Sequence, residues 1–525
     1  MTETLCSTFQ RTAQAHPKRV ALRTVGGGVE VTWCEYARRV RSLAAGLATR
    51  GLQRGETLAL MMGNRPEFAL CDTAALHLGA TPFSIYTSFA PEQVAQVLAN
   101  AGSRRAIAER QYHERLRAAD PALEVLDVED LDALEDDRAF DFEAAWRAAK
   151  PGDVATLIYT SGTTGPPKGV ELTHANVLAE LRATGAVLPV RAEDRTTSYL
   201  PSAHIADRWM SHYQQMGAGY EVTFVADMRA IAAALPEVRP TVWGGVPRVW
   251  EKIKSALEAA GVADPAALPE EARAAVRARI GLDQVRWLVS GAAPIPVEVL
   301  EYFLALGLPI RELWGMSELS CCATINPQDD IRIGTVGTAL PGVELRLAAD
   351  RELLVRGPTV MKGYRGDAAG TAEAIADGWL HTGDVATIDD DGYVRIVDRK
   401  KELIINAAGK NMSPANIEQT LKAASPLIGQ AVVIGDRRPY NVALLVLDPE
   451  HLDGRSADDA AVAGQVDAAI ARANERLARV EQVKRYTLLE EEWQPGGDEL
   501  TPTMKLKRKP IAAKYAERIH ALYAS

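Results

Sequence analysis

Apolar and polar positions along the first two thirds of the chain follow an alternating strand and helix rhythm. Between residues 30 and 110, short apolar runs alternate with stretches of helical periodicity. Thr32 and Glu35 form a capping box that predicts a helix over 33–50, and Pro66 and Pro91 are placed to open two further helices. Further strands are predicted at 196–200, 221–225, 241–244 and 285–289. This order predicts a mostly parallel sheet covered by helices, with ligands beyond the carboxyl ends of the strands.

The pattern changes after Pro341 to short strands and tight turns, including a hairpin signal at 389–392. The charged segment 398–402 has no apolar anchor, which is typical of a domain boundary. We therefore predict a large N-terminal domain over 1–398, a hinge over 399–402 and a small α+β domain over 403–525. The acidic stretch 127–150 has few apolar residues and predicts a solvated surface connection.

Composition places the chain among ordinary globular proteins. Its 525 residues exceed what one compact core holds, and 47% apolar with 24% charged residues argues against disorder. The net charge of −10 argues against a general nucleic-acid binder. We expect a soluble, cytoplasmic protein, at most peripheral to the inner membrane face, because no apolar run reaches the roughly 18 residues that span a bilayer. The five cysteines, Cys6, Cys34, Cys71, Cys321 and Cys322, have no framework spacing and predict reduced thiols without a zinc-type site.

A loop of glycines and hydroxyls follows the apolar run 154–159 and ends on a lysine. Such a loop wraps a polyphosphate with backbone N–H groups, neutral hydroxyl donors and one mobile charge. The residues concerned are Thr160, Ser161, Gly162, Thr163, Thr164 and Lys168. Pro167 occupies the place of the second glycine of a Walker A motif, so the loop is not of that type. A flexible linker is the alternative, although linkers rarely follow a buried strand directly.

Three later stretches carry candidate nucleotide chemistry. The segment 290–294 offers small residues against which a flat ring lies, and Trp314 to Glu318 supplies an aromatic face, a hydroxyl and a carboxylate. Glu318 suits a hard cation at phosphates, and Asp384 in a tight turn suits ribose hydroxyls. Taken singly, each has a structural alternative: a turn, a core aromatic or a turn cap.

Together and in this order, the stretches resemble the motif series of the adenylate-forming superfamily over roughly residues 30–515. Segments 199–208, 244–252 and 500–508 resemble its long-chain fatty acyl-CoA synthetase branch. The resemblance implies an α/β fold. The large N-terminal domain would have stacked mixed and parallel sheets with helices and a β-barrel-like subdomain, and the small α+β C-terminal domain would be mobile. It also implies ATP, Mg²⁺ and coenzyme A: a medium or long carboxylic acid becomes acyl-AMP with release of pyrophosphate, and coenzyme A then takes the acyl group.

The resemblance also implies roles for single residues. Residues 160–168 would bind the β- and γ-phosphates, Glu318 with Thr160 the magnesium ion, and Ser317 the α-phosphate. Trp314 would stack on adenine, and Asp384 with Arg399 would hold the ribose. Other implied positions are Gly291, Ala292, Ala293, Gly315, Met316 and Ile396 for the nucleotide, Lys401 for the hinge, and Gly409 with Lys410 for the coenzyme A tunnel. Trp314 and Ser317 stand where most relatives carry tyrosine and threonine, and both keep the needed face or hydroxyl.

The catalytic lysine is ambiguous because the usual G-K-x-x-R pattern is absent. Keeping the lysine-to-arginine spacing selects Lys505, with Met504 in the place of glycine, and leaves Lys507 as the alternative. The lysine would place a cation between carboxylate and α-phosphate. The alternative is that the run 505–509 is only a basic surface segment, and an electrostatic role near anionic membranes is compatible with catalysis.

His204 bears most on the substrate class. Amino-acid adenylation domains place an aspartate in this region, and its absence favours a simple carboxylic acid; a structural histidine is the alternative. Asp207 replaces the commoner glutamate. Delivery to an acyl carrier protein instead of coenzyme A stays open. The chain has no G-x-S-x-G elbow, which counts against an ester or thioester hydrolase. A non-catalytic nucleotide-binding module would not need the charged residues that the chain retains.

Overall fold

The structure is a computed structural model that describes residues 3–136, 140–160, 167–407, 410–452, 454–494, 496–501 and 505–524. The helices are α1 (Leu5–Ala15), α2 (Trp33–Thr49), α3 (Pro66–Leu78), α4 (Pro91–Ala101), α5 (His113–Ala119), α6 (Leu131–Leu134), α7 (Phe142–Arg147), α8 (His174–Val187), α9 (Ile205–Asp207), α10 (Gln214–Ala218), α11 (Ile231–Val238), α12 (Pro247–Ala259), α13 (Glu270–Arg279), α14 (Val297–Ala305), α15 (Ala368–Ala374), α16 (Pro414–Ala423), α17 (Pro449–Leu452), α18 (Ala460–Arg476), α19 (Arg508–Lys514) and α20 (Ala516–Ala524).

The strands are β1 (Val20–Thr24), β2 (Glu30–Thr32), β3 (Thr57–Met61), β4 (Thr81–Ser84), β5 (Arg105–Ala108), β6 (Glu124–Asp127), β7 (Val154–Thr160), β8 (Lys168–Thr173), β9 (Arg195–Ser198), β10 (Glu221–Phe224), β11 (Val242–Gly245), β12 (Trp287–Ser290), β13 (Ile310–Trp314), β14 (Thr324–Ile325), β15 (Thr338–Ala339), β16 (Glu344–Leu347), β17 (Glu352–Arg356), β18 (Gly363–Tyr364), β19 (Ile375–Ala376), β20 (Trp379–Ile388), β21 (Val394–Arg399), β22 (Ile404–Ile405), β23 (Asn411–Met412), β24 (Ile428–Ile434), β25 (Asn441–Leu447) and β26 (Val483–Leu489).

The largest sheet has seven strands in the order β18-β8-β7-β4-β3-β5-β6. Strands β3 to β7 run parallel, as the sequence predicts, whereas β8 and β18 are antiparallel to their neighbours. The apolar residues of β3 and β4 are fully buried because helices cover this parallel sheet. Thr160 pairs with Lys168, which is the last pair of the β7–β8 hairpin before the predicted phosphate loop.

Three further sheets complete the large domain. One has the order β2-β1-β10-β9, and a second runs β11-β12-β13-β14-β15 with its first three strands parallel. The third sheet combines β16, β17, β19, β20 and β21 in antiparallel pairs, where the barrel-like subdomain is predicted. The carboxyl ends of β12 and β13, followed by Gly291 and Gly315, therefore lie at one edge, where ligands of parallel sheets bind.

The small domain is α+β, with the three-stranded sheet β24-β25-β26 packed on α16 and α18. Its strand β25 is fully buried, and Val462, Val466 and Ala473 of α18 face the same core. The short pair β22–β23 precedes this sheet. None of the described helices is long and apolar enough to cross a membrane.

The acidic stretch 127–150 differs from the prediction. Six of its apolar side chains are buried in the main core of the large domain: Val128, Leu131, Leu134, Phe142, Trp146 and Ala149. They anchor the segment while charged residues remain at the surface, where Glu135 and Asp132 pair with Arg39. The connection is therefore part of the large domain and not a solvated strip.

Candidate active site

The strand ends on either side of the predicted phosphate loop contact helix α4 through Asn100. Tyr159 donates its hydroxyl to Asn100 Oδ1 at 2.9 Å, and a Cβ on Gly169 would approach that same oxygen to 2.9 Å. The ammonium of Lys168 lies 4.7 Å from the centre of the Tyr364 ring. Thr160 is half-buried at the end of β7. The predicted loop residues Ser161, Gly162, Thr163 and Thr164 lie outside the described residues.

Glu318 follows β13 on a short helical turn and is almost fully buried. Tyr364 donates its hydroxyl to Glu318 Oε1 at 2.9 Å, and no other hydrogen bond from a described residue reaches this carboxylate. Gly315 fixes the path of this turn because a Cβ there would lie 2.1 Å from the carbonyl oxygen of Cys321. The site therefore presents a carboxylate oxygen that fits a hard cation.

Asp384 joins Trp314 to Arg399. Trp314 donates its indole N–H to Asp384 Oδ2 at 2.8 Å, and Arg399 Nε lies 2.6 Å from Oδ1. Burial raises the pKa of Asp384, and the charges of Arg399 and Lys505 oppose that shift. Both oxygens are already engaged, so ribose hydroxyls would have to share them, a constraint that the sequence did not indicate.

Lys505 reaches this group from the small domain. The residue as a whole is exposed, yet protein packed around its ammonium lowers its pKa, helped by Arg399 and opposed by Asp384 and Glu318. The same lysine helps to lower the pKa of His204, for which burial is the larger cause. The structure therefore brings Lys505 together with Glu318, Asp384 and His204, which lie far apart in the sequence.

Lys507 points elsewhere, since its ammonium donates to the carbonyl of Gly497 at 2.7 Å. Arg508 anchors the segment through Glu418, with contacts of 2.5 and 2.8 Å, and through Glu402 at 3.2 Å. The backbone N–H of Lys505 donates to the Thr501 hydroxyl at 3.0 Å. The side chains of Lys505, Lys507 and Arg508 thus face different sides, and Lys505 is the one turned to the large domain.

His204 caps the short helix α9, where its Nδ1 accepts the Ala206 N–H at 3.2 Å. Its pKa is lowered to about 3, so the ring is neutral at pH 7 and carries its proton on Nε2. Next to α9 lies an apolar cavity between the β11–β13 edge and the π-helical turn Arg208–Tyr213. Its lining is almost wholly apolar or glycine and includes Leu200, Trp209, Met210, Gly244, Val289 and Leu313.

The other predicted positions are distributed around this centre. Gly291 and Ala292 line the apolar cavity, while Ala293 is exposed beside them. Met316 is half-buried next to Ser317, and Ile396 packs against the main core. Lys401 is exposed in the turn after β21, and Lys410 is exposed in the turn between β22 and β23. Gly409 lies outside the part of the chain that the structure describes.

Two groups of residues escaped the sequence reasoning. Tyr364 contacts Glu318 across 46 positions, and no motif spacing pointed to it. Arg208 forms a fully buried ion pair with Asp72 at 2.7 Å, and His212 bonds the other Asp72 oxygen at 2.9 Å. The only available signal was a lone Asp72 inside an apolar helix, because a buried acid requires a partner.

Ion pairs join the two domains along α12 and α14. Arg248 Nη2 lies 2.6 Å from Asp448 Oδ2, and Lys252 lies 3.0 Å from Glu450. Arg476 of α18 lies 2.6 Å from Glu298. These contacts belong to the orientation in which Lys505 reaches the cleft.

Comparison with known proteins gives the family. Residues 9–365 match the family model described as AMP-binding enzyme, and residues 401–525 match that of the AMP-binding enzyme C-terminal domain. The putative fatty-acid–CoA ligase fadD11 of Mycobacterium tuberculosis is 53% identical over 449 residues, which cover 76% of this chain and 79% of that protein. The long-chain-fatty-acid–CoA ligase ACSBG2 of Gallus gallus is 30% identical over 99% of this chain and 81% of its own.

Among solved structures, the O-succinylbenzoate coenzyme A synthetase of Bacillus subtilis in complex with AMP superposes with a TM-score of 0.79 at 23% identity, covering 96% of this chain and 97% of that one. This likeness confirms the predicted fold class. The match of the first family model to more than half of the chain confirms the predicted superfamily. The chain belongs to the AMP-binding, adenylate-forming enzyme family.

Proposed function

We propose that this enzyme activates a medium- or long-chain fatty acid with ATP and then transfers the acyl group to coenzyme A. The convergence of Lys505 with Glu318, Asp384 and His204 carries the proposal, because a cation from one domain then lies within electrostatic reach of the acidic groups of the other. The names of the relatives, all fatty-acid–CoA ligases, support the same reaction.

In the first step, the substrate carboxylate attacks the α-phosphorus of ATP and pyrophosphate leaves. We assign to Lys505 the neutralisation of charge between these two anions as the new P–O bond forms. Lys168 at the loop exit would hold the departing phosphates, and Glu318 with Thr160 would hold Mg²⁺. When bound, Mg²⁺ neutralises phosphate charge. Trp314, fixed by its bond to Asp384, would present an aromatic face to adenine.

The apolar cavity supports an aliphatic acid as the substrate. A chain of methylene groups gains about 0.8 kcal/mol for each group it buries in such a lining. The neutral His204 beside the cavity would meet the carboxyl end of the acid with its Nε2–H. None of the described lining residues carries a charge, which fits a fatty acid better than an amino acid.

In the second step, coenzyme A takes the acyl group. We assign this thioester chemistry to the turn around Gly409 and Lys410, which would reach the site after the small domain rotates about Lys401. The boundaries 1–398, 399–402 and 403–525 belong to this proposal. An acyl-AMP ligase that delivers to a carrier protein is the second candidate. Peripheral contact with an anionic membrane is less well supported, because Lys505 faces the cleft and Lys507 and Arg508 have partners inside the small domain.

The test follows pyrophosphate release from ATP and Mg²⁺ with a panel of fatty, aryl and amino acids, with and without coenzyme A. Acid-dependent pyrophosphate from fatty acids and acyl-CoA on addition of coenzyme A are the expected results. No acid-dependent pyrophosphate from any acid would refute the ligase. Acyl-AMP that coenzyme A fails to consume would replace the first candidate by the second.

Lys505→Ala and Lys507→Ala form a matched pair for the same assay. We expect Lys505→Ala to reduce acid-dependent pyrophosphate release by about 10²- to 10³-fold, as when other preorganised transition-state contacts are removed. Thioester formation from supplied acyl-AMP should survive. Full activity of Lys505→Ala together with loss in Lys507→Ala would contradict the assignment.

A further inference from the structure

A short segment, Met361 to Arg365, ties the turn that carries Glu318 to the strand that carries Lys168. The Met361 N–H donates to the Glu318 carbonyl at 2.8 Å. Strand β18 pairs with β8 so that Tyr364 lies opposite Val170, and the Arg365 N–H donates to the Gly169 carbonyl at 2.7 Å. The backbone of this segment therefore fixes the two elements relative to each other.

The Tyr364 side chain makes the same connection at the level of functional groups. Its hydroxyl donates to Glu318 Oε1 at 2.9 Å, and the Lys168 ammonium lies 4.7 Å from the centre of its ring. A phenol carries an O–H donor at neutral pH, so the hydroxyl donates and the Glu318 carboxylate accepts.

We propose that Tyr364 is a positioning residue that holds the Glu318 carboxylate and the Lys168 ammonium through one side chain, and so orients both for a Mg²⁺–triphosphate unit. The inference rests on the proposed roles of Glu318 in Mg²⁺ binding and of Lys168 in phosphate binding. It adds a residue that neither the motifs nor the family match assigns.

The hydroxyl and the ring have separable effects. The hydroxyl binds one carboxylate oxygen and restricts the rotation of the group, so that less side-chain entropy is lost when the carboxylate binds a cation. The ring restrains an exposed lysine through a cation–π contact, which is weak at such a position and is readily exchanged for phosphate oxygens. Loss of the hydroxyl should therefore act on Mg²⁺, and loss of the ring should act on ATP.

Tyr364→Phe removes the hydroxyl and keeps the ring, whereas Tyr364→Leu removes both. Acid-dependent pyrophosphate release is measured against Mg²⁺ at fixed ATP and against ATP at saturating Mg²⁺. We expect Tyr364→Phe to raise the half-saturating Mg²⁺ concentration about five- to tenfold, with kcat at saturating Mg²⁺ and the KM for ATP within twofold of wild type. Tyr364→Leu should in addition raise the KM for ATP about threefold.

Tyr393→Phe is the matched control. Tyr393 also donates its hydroxyl, to the Asp330 carbonyl at 2.7 Å, and carries a cation, Arg332, 3.9 Å from its ring centre. Neither partner belongs to the proposed site, so Tyr393→Phe should leave both titrations unchanged. A purely structural role of Tyr364 would lower kcat or stability without moving the Mg²⁺ titration.

Glu318→Gln and Lys168→Ala separate the failure of this inference from that of its premises. If both variants alter the Mg²⁺ and ATP dependences while Tyr364→Phe behaves like Tyr393→Phe, the role of Tyr364 is overturned and the roles of Glu318 and Lys168 stand. If Glu318→Gln leaves the Mg²⁺ titration unchanged, the proposed metal role fails and the inference fails with it.

Discussion

Glu180 is a buried acid whose ionisation should set part of the pH dependence of stability. It lies on α8, and its Oε1 accepts both the backbone N–H of Cys322 at 3.1 Å and the Cys322 thiol at 3.0 Å. Its Oε2 is buried and has no hydrogen-bond partner among the described residues. Burial raises the pKa of Glu180 from 4.5 to about 8. The carboxyl is therefore protonated in the folded protein at pH 7.

The sign and size of the effect follow from this shift. The unfolded chain loses the proton near pH 4.5, whereas the folded chain keeps it to about pH 8. Between these values, rising pH favours the unfolded chain by about 1.4 kcal/mol per pH unit. The contribution of protonated Glu180 to the free energy of unfolding is complete below pH 4.5 and is lost by pH 8, a change on the order of 5 kcal/mol over the whole window.

Glu180→Gln keeps an acceptor for Cys322 and cannot ionise. We expect the melting temperature of the variant to exceed that of the wild type by several degrees at pH 8 and to differ little at pH 5, measured by scanning calorimetry. Glu301→Gln, at an exposed position of α14, is the control and should leave the difference between the two pH values unchanged. An equal fall from pH 5 to pH 8 in wild type and Glu180→Gln would refute the reasoning.

Two further predictions concern the domain contact and the turn before Glu318. Arg248→Gln should slow acid-dependent pyrophosphate release about fivefold, which corresponds to ~1 kcal/mol for a partly exposed ion pair, and should spare thioester formation from supplied acyl-AMP. Arg229→Gln, which breaks an exposed pair within the large domain, is the control. Equal loss in both half-reactions of Arg248→Gln would contradict this prediction. Gly315→Ala should lower the melting temperature and the kcat/KM for ATP, because the new Cβ would lie 2.1 Å from a backbone atom. Gly464→Ala is the control and should lower neither, because a Cβ there has no atom within 4 Å. An unchanged Gly315→Ala enzyme would show that the backbone of the turn can shift to accept the methyl group.

Much of the fold could be predicted because local signals and tertiary contacts agree. Pro66 and Pro91 open α3 and α4 as expected, and the 389–392 turn joins β20 to β21. The antiparallel β8 and β18 could not be predicted, since the strand rhythm fixes the alternation of elements but not their pairing partners. The burial of the 131–146 apolar residues also escaped, because sparse apolar positions show no period.

The candidate site likewise contains residues that the sequence predicts and contacts that it does not. Residues such as Glu318 and Asp384 could be named because their chemistry and motif order indicate a nucleotide. Tyr364 could not, since it meets Glu318 only through the pairing of β18 with β8. Arg399 is implied by the resemblance, but its ion pair with Asp384 depends on the pairing of β20 with β21. The acyl cavity likewise depends on which faces of the β11–β13 edge and the Arg208–Tyr213 turn meet. Contacts between distant elements carry no local sequence signal.

The ambiguity between Lys505 and Lys507 shows what the geometry adds to the mechanism. Alignment offers both, but Arg508 pairs with Glu418 and Glu402, and this anchor turns Lys505 to the cleft and Lys507 to Gly497. Because the turn that holds Lys410 belongs to the same small domain, Lys505 and this turn would need different domain orientations to reach the site. The Arg248–Asp448 pair joins the two domains in the orientation in which Lys505 reaches the cleft. If rotation of the small domain breaks this pair, its strength favours the adenylation orientation.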